Sequence, residues 1–154
     1  MISKILIAWM LVAATVAVHA GGLAWLLRWL RRAPSLPTRF WPTAWLLVRV
    51  TCTLIVIHLL EIVVWALFFA GVGSLPDLES AFYFSGTTYS TVGYGDVVLK
   101  DEWRMFGPLE GLVGILMCGL SSGLFFAVVN KLFSANTRIT PDGGRQGVLS
   151  GDDE

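Results

Sequence analysis

The residues with the clearest chemical purpose are Thr91-Val92-Gly93-Tyr94-Gly95-Asp96, preceded by Thr87-Thr88-Tyr89-Ser90. Their chemistry lies in the backbone. Successive carbonyls point one way only when the residues that carry them alternate in backbone hand, and Gly93 and Gly95 accept the positive φ that this requires. A ring of such carbonyls can take the place of a cation's hydration shell. No catalytic constellation accompanies the stretch, so the chain reads as a non-enzyme, and its two histidines, His19 and His58, are too far apart in sequence to suggest a metal site.

A carbonyl ring needs a scaffold, and the composition says where that scaffold sits. Hydrophobic residues make up 55% of the 154, charged residues only 14%, and there are seven tryptophans, which is the composition of an integral membrane protein. Net charge is zero, so nothing points to nucleic acid. Cys52 and Cys118 lie in apolar segments and read as buried free thiols rather than a disulfide. With no internal repeat, one chain supplies one filter loop.

Three segments are long enough to cross a bilayer, which takes roughly 20 apolar residues. The first, 1–30, is apolar except for Lys4, His19 and Arg28. Its composition also resembles a secretory signal peptide ending near Ala20. Topology favours a retained helix: the basic loop 31–43, with Arg31, Arg32 and Arg39, belongs on the cytoplasmic side, which puts the N-terminus outside. Pro34, Pro37 and Pro42 are expected to keep that loop from continuing the helix.

The second span is predicted over 44–70. It carries Arg49, His58 and Glu61, the last two on one face at i and i+3. A carboxylate at that depth costs about 2.5–3.5 kcal/mol on insertion scales, so Glu61 must be paired, protonated or turned inward. It reads either as a proton sensor with His58 or as a buried hydrogen-bond acceptor for His58, for His19 or for the back of the pore loop.

A short helix over 80–89 follows, with Asp77 and Glu79 at its positive end. Tyr83, Phe84, Tyr89 and Tyr94 form an aromatic set expected to be buried behind the filter. Acidic Asp96, Asp101 and Glu102 lie beyond it. The last span, 106–133, is punctuated by Gly111, Gly114, Gly119 and Gly123. Gly119 and Gly123 form a Gly-x-x-x-Gly pair and are candidates for a helix hinge or for close packing. Ser121 and Ser122 either wet a cavity wall or bond back one turn, and Glu110 is either interfacial or a support behind the filter. Asn130-Lys131 and Arg138 put positive charge at the cytoplasmic exit, and the tail 134–154 is expected to be disordered, with no regulatory domain after it.

From Trp45 to Phe133 the chain resembles the pore domain of potassium channels, in particular small bacterial ones built from two helices flanking a pore loop. The motif Thr91-Val92-Gly93-Tyr94-Gly95 carries the resemblance. It implies K⁺ sites formed by Thr91, Val92, Gly93 and Tyr94, with Gly95 and Asp96 at the outer mouth. Ser90 stands where the family usually has a second threonine, and Thr87 where small bacterial members have a glutamate paired to the filter aspartate. Tyr83 stands where a tryptophan often bonds that aspartate, which makes a Tyr83 to Asp96 hydrogen bond the expected substitute.

The expectation is thus an all-α membrane protein: three transmembrane helices per subunit, a re-entrant pore helix and a filter over 91–95, the pore domain covering 44–133. Four copies would close one conduction axis in a bacterial inner membrane, with K⁺ as the transported ion and no organic cofactor. The expected function is selective K⁺ conduction. The rivals are a weakly selective cation channel, a potassium transporter subunit and a non-conducting membrane adaptor.

Overall fold

The computed structural model describes residues 2–32 and 39–137. Pro34, Pro37, Arg138 and the tail from 138 onward lie outside the described residues. Four helices make up the fold: α1 (Ile2–Arg32), α2 (Phe40–Gly71), α3 (Leu78–Tyr89) and α4 (Phe106–Thr137). Among the described residues there is no strand. In hydrocarbon every backbone N–H and C=O must find its partner within the protein, and a helix does this locally. α1, α2 and α4 are each long and apolar enough to cross a membrane. At 31, 32 and 32 residues they run to about 46–48 Å, well beyond a hydrocarbon core of about 30 Å.

Several boundaries differ from the sequence expectation: α1 reaches Arg32, which takes Arg31 and Arg32 out of the loop, and α3 starts at Leu78 rather than at 80. α2 starts at Phe40, so Pro42 lies inside its first turn rather than in the loop. There a proline lacks only an N–H that has no intrahelical acceptor, and its φ already suits the helix. α4 runs on to Thr137, so residues 134–137 are helical and not part of an unstructured tail.

Three clusters of side chains hold the helices together and fix their directions. Toward one end Leu11 of α1 packs with Trp65, Ala66 and Phe69 of α2, Ala81 and Phe84 of α3, and Phe106 of α4. At the other end Leu26 of α1 packs with Val50, Leu54 and Ile57 of α2, with Leu124, Phe125 and Val128 of α4 against them. Tyr89, Val113 and Met117 lie between, with Val12 and Ile62. Both α1 and α4 therefore run antiparallel to α2. A Cβ on Gly22 would fall 2.6 Å from Ile57, so the missing side chain lets α1 and α2 approach closely there.

This arrangement sorts the charges. Arg28, Arg31, Arg32, Arg39 and Lys131 gather at one end of the bundle, and Asp77, Glu79, Asp96, Asp101 and Glu102 at the other. At the acidic end Lys4 donates to the carbonyl of Glu102 and lies 5.0 Å over the Trp103 ring, which ties the start of α1 to the loop before α4.

Candidate ion-conduction site

α3 is the short helix that leads into the 91–95 segment. Asp77 caps its first turn by accepting a 2.7 Å hydrogen bond from the Ser80 N–H. That contact holds the exposed carboxyl of Asp77 below the usual carboxylate range. The helix ends at Tyr89, and the chain turns back on its last carbonyls. Thr91 N–H donates to Thr88 O (2.9 Å), while Val92 and Gly93 N–H both donate to Thr87 O (2.9 and 3.0 Å). The Ser90 hydroxyl donates to Gly86 O at 2.6 Å, and the Thr87 hydroxyl donates to Phe84 O at 3.0 Å.

Beyond this anchor, backbone hand alternates: φ is positive at Thr91 (61°), Gly93 (52°) and Gly95 (76°) and not at Val92 or Tyr94. Glycine supplies the last two without strain. Thr91 is different: a β-branched residue in the left-handed region costs about 1–2 kcal/mol. The sequence gives no sign of that third positive φ, since only glycines advertise one. The outcome is a five-residue segment, 91–95, in which backbone hand alternates from one residue to the next.

The family pattern described as "Ion channel" matches residues 54–131, half of the chain. This chain belongs to that ion channel family. Over 45 residues it is 49% identical to Potassium channel subfamily K member 4 of Mus musculus and 47% identical to the protein of the same name in Rattus norvegicus. Those 45 residues are 29% of this chain and 11% of each relative, so the match spans only about a tenth of the relatives' length. No solved structure matches.

Just past the 91–95 segment, Asp96 Oδ2 accepts a 2.8 Å hydrogen bond from the Tyr83 hydroxyl, and Asp96 Oδ1 accepts from the Val97 N–H at 3.1 Å. The contact raises the Tyr83 phenol above its ordinary pKa, because ionisation would place two negative charges side by side. Two members of the expected aromatic set are not buried in the chain: Tyr83 is 41% and Tyr94 72% exposed. Phe84 and Tyr89 are buried as expected. Cys52 and Cys118 are free but exposed, a correction to the buried-thiol expectation, because each adjoins rather than occupies the inward positions of its helix.

Behind α3 lies a polar cluster that the sequence does not assemble. Glu61 is fully buried; its Oε1 meets His19 Nδ1 at 2.7 Å and its Oε2 meets His58 Nδ1 at 3.1 Å. Tyr89 donates its hydroxyl to the same Oε2, and its oxygen lies 3.0 Å from His58 Nδ1. All three candidate partners of Glu61 therefore act at once. The two histidines are not isolated, as their spacing had suggested, because antiparallel packing of α1 and α2 brings their rings within 5.5 Å. One turn further along α1, Thr15 accepts a 3.0 Å hydrogen bond from the Trp65 indole and donates to Leu11 O.

α4 meets the end of α3 at two glycines. A Cβ on Gly111 would sit 3.3 Å from Thr88 O; one on Gly114 would fall on the Tyr89 carbonyl, 2.9 Å from its carbon. Gly119 and Gly123, the sequence candidates, oppose nothing within 4 Å in the chain, so close packing inside the subunit belongs to Gly111 and Gly114 instead. The i, i+3 spacing of those two is the signal that could have marked them. Glu110 is fully buried near Ser85 of α3. Ser122 donates back to Cys118 O at 2.9 Å, and the Ser121 hydroxyl is buried without a partner among the described residues.

Proposed function

We propose that this ion channel is a potassium-selective one, in which four copies of the chain bring four 91–95 segments around a single axis. The observation that carries the reading is the alternation of backbone hand at Thr91, Gly93 and Gly95. It is what a line of carbonyls needs in order to face one axis. Each chain contributes one line, and a single line cannot surround an ion, so closure requires further copies. Thr91, Val92, Gly93 and Tyr94 supply the K⁺ sites, and K⁺ passes in single file from one carbonyl ring to the next, pushed by the ion behind it.

The other residues serve that path. Asp96, held by Tyr83, keeps the outer turn of the filter in place, and Ser90 and Thr87 fasten its start to α3. The partly negative C-terminal end of α3 favours a cation waiting below the filter. Gating falls to the elements that can move Tyr89 or bend α4: Glu61 with His58 on one side, Gly119 and Gly123 on the other. The basic end of the bundle lies in the cytoplasm and the acidic end outside, which fixes the N-terminus outside and the C-terminus inside.

K⁺ flux into liposomes carrying the purified protein tests the reading, with Na⁺ substituted for K⁺ and Gly93→Ala as the paired control. Flux in K⁺ that disappears in Na⁺ and in Gly93→Ala is the expected result. Equal flux in both ions would replace it with the weakly selective channel. No flux across a range of voltage, from a protein that is not tetrameric, would leave the membrane adaptor.

A further inference from the structure

Several polar groups of the described residues have an evident structural task, such as capping a helix or bonding back one turn. The cluster behind α3 does more than such tasks need. It gathers two imidazole nitrogens, a carboxylate and a phenol, from three helices, around one point. The ligand atoms of His19, His58 and Glu61 all lie within 4.8 Å of one another. His19 and Glu61 are almost completely buried.

We propose that His19 Nδ1, His58 Nδ1 and the Glu61 carboxylate form a binding site for a divalent transition-metal ion of the zinc class. Two imidazoles and one carboxylate are a ligand set that zinc accepts, with water in the fourth position. Hard cations such as Mg²⁺ and Ca²⁺ prefer all-oxygen sites and are disfavoured here. Around a tetrahedral zinc with bonds of about 2.0–2.2 Å, neighbouring ligand atoms stand about 3.3–3.6 Å apart. The two nitrogen–oxygen separations are 2.7 and 3.1 Å. Each contact is to a different carboxylate oxygen, so insertion of the ion needs the His19 edge to open by about 0.6–0.9 Å and the His58 edge by about 0.2–0.5 Å, with both oxygens facing the ion.

The surroundings supply an outer partner and an entry route. Tyr89 donates to Glu61 Oε2 with its oxygen 3.0 Å from His58 Nδ1, so the hydroxyl borders the ion's position and orients the carboxylate there. A cavity of about 390 Å³ opens beside His58, with Thr51, Ser121, Ser122 and Cys118 among its walls, and gives an ion a way in. His19 Nε2 is buried without a partner among the described residues. That ring lacks the second hydrogen bond that usually supports a metal-bound imidazole, so the site is weaker by about 10–100-fold than a fully supported one. A bound ion would join α1 to α2 and press on Tyr89, the residue on which the filter turn begins.

The chain has only two histidines, which makes the test clean if the full-length protein carries no histidine tag. Zinc is added to the purified protein, excess is dialysed away, and retained metal is counted per chain by elemental analysis. X-ray absorption at the zinc edge then reads the ligands. One ion per chain with imidazole scattering and a shell at about 2.0–2.2 Å supports the site. In His19→Gln and in His58→Gln, checked by elution at the wild-type size, zinc affinity falls by more than about 10-fold. Zinc retained at no more than background by the wild-type protein overturns the proposal. So does a sulfur shell at about 2.3 Å, which would assign the metal to Cys118 or Cys52. The absorption spectrum of the wild-type protein decides the matter even if neither variant folds. None of these readouts involves conduction, so the site can fail while the channel reading stands, and the reverse.

Discussion

Replacing Gly114 with alanine tests the contact on which the start of the filter rests. The added Cβ would lie 2.9 Å from the Tyr89 carbonyl carbon and 3.2 Å from its Cα, and closer still to the oxygen. Carbon atoms settle at about 3.5–4.0 Å, so the Tyr89 peptide must retreat by about 0.6–1.1 Å. Backbone on both sides leaves no flexible side chain to give way. Overpacking of this kind costs about 1–3 kcal/mol. Alanine also gains up to about 1 kcal/mol over glycine inside a helix, and Gly119→Ala serves as the control because its Cβ would meet nothing within 4 Å in the chain. The helix gain is common to both, so the two variants should differ by about 1–3 kcal/mol. Thermal unfolding in detergent reads the stability difference, and liposome flux reads the filter. Gly114→Ala should unfold earlier than Gly119→Ala and lose K⁺ flux. Equal midpoints and equal flux for the pair would refute the claim that α4 and the end of α3 are in essential contact at this point.

Other changes have separate signatures. Tyr83→Phe removes the only side-chain donor to Asp96 among the described residues; K⁺ flux should decline with time or lose its discrimination against Na⁺ while the oligomer stays intact, as read by flux and elution volume. Trp65→Phe leaves the Thr15 hydroxyl without its indole donor in a fully buried place, and should destabilise by about 1–3 kcal/mol in thermal melts. Asp77 has a lowered pKa in the folded chain, so its contribution is fully present above the ordinary carboxylate pKa and is lost as pH falls through the lower folded value. The gap in unfolding midpoint between wild type and Asp77→Ala should therefore hold from neutral pH down to the usual 3.8 and close only below it. A gap that closes at higher pH would show that the cap does not hold the charged carboxyl.

What could be read from the sequence was local. Apolar length gives the spans, the spacing of His58 and Glu61 gives their common face, and Asp77 precedes a helix start in the usual way. The 91–96 stretch announces its backbone through its glycines. What could not be read depends on how helices pack. His19 and Glu61 are 42 residues apart and Tyr89 and Glu61 are 28 apart, so the sequence could offer His19 and the pore loop only as alternative partners of Glu61; the docking of α1 and the angle of α3 bring both in at once. The same limit hid Gly114, whose partner is a carbonyl on another helix. Thr91 escaped notice for a different reason: its strained φ is imposed by the amides that turn back to Thr87 and Thr88, and a β-branched side chain gives no hint of it.

The docking of α1 has a consequence for biosynthesis. Its buried polar residues find partners far along the chain: Thr15 waits for Trp65, 50 residues later, and His19 waits for Glu61. At about 5–20 residues per second, the ribosome takes about 2–8 s to make the 42 residues between His19 and Glu61. During that time a hydroxyl and an imidazole would face lipid with no partner on a neighbouring helix. Lys4 waits longest, since the Glu102 carbonyl is made 98 residues after it. The nascent first helix is therefore a natural client for the insertion machinery, which would hold it beside the exit channel until the second helix arrives and the two can leave for the bilayer as a pair.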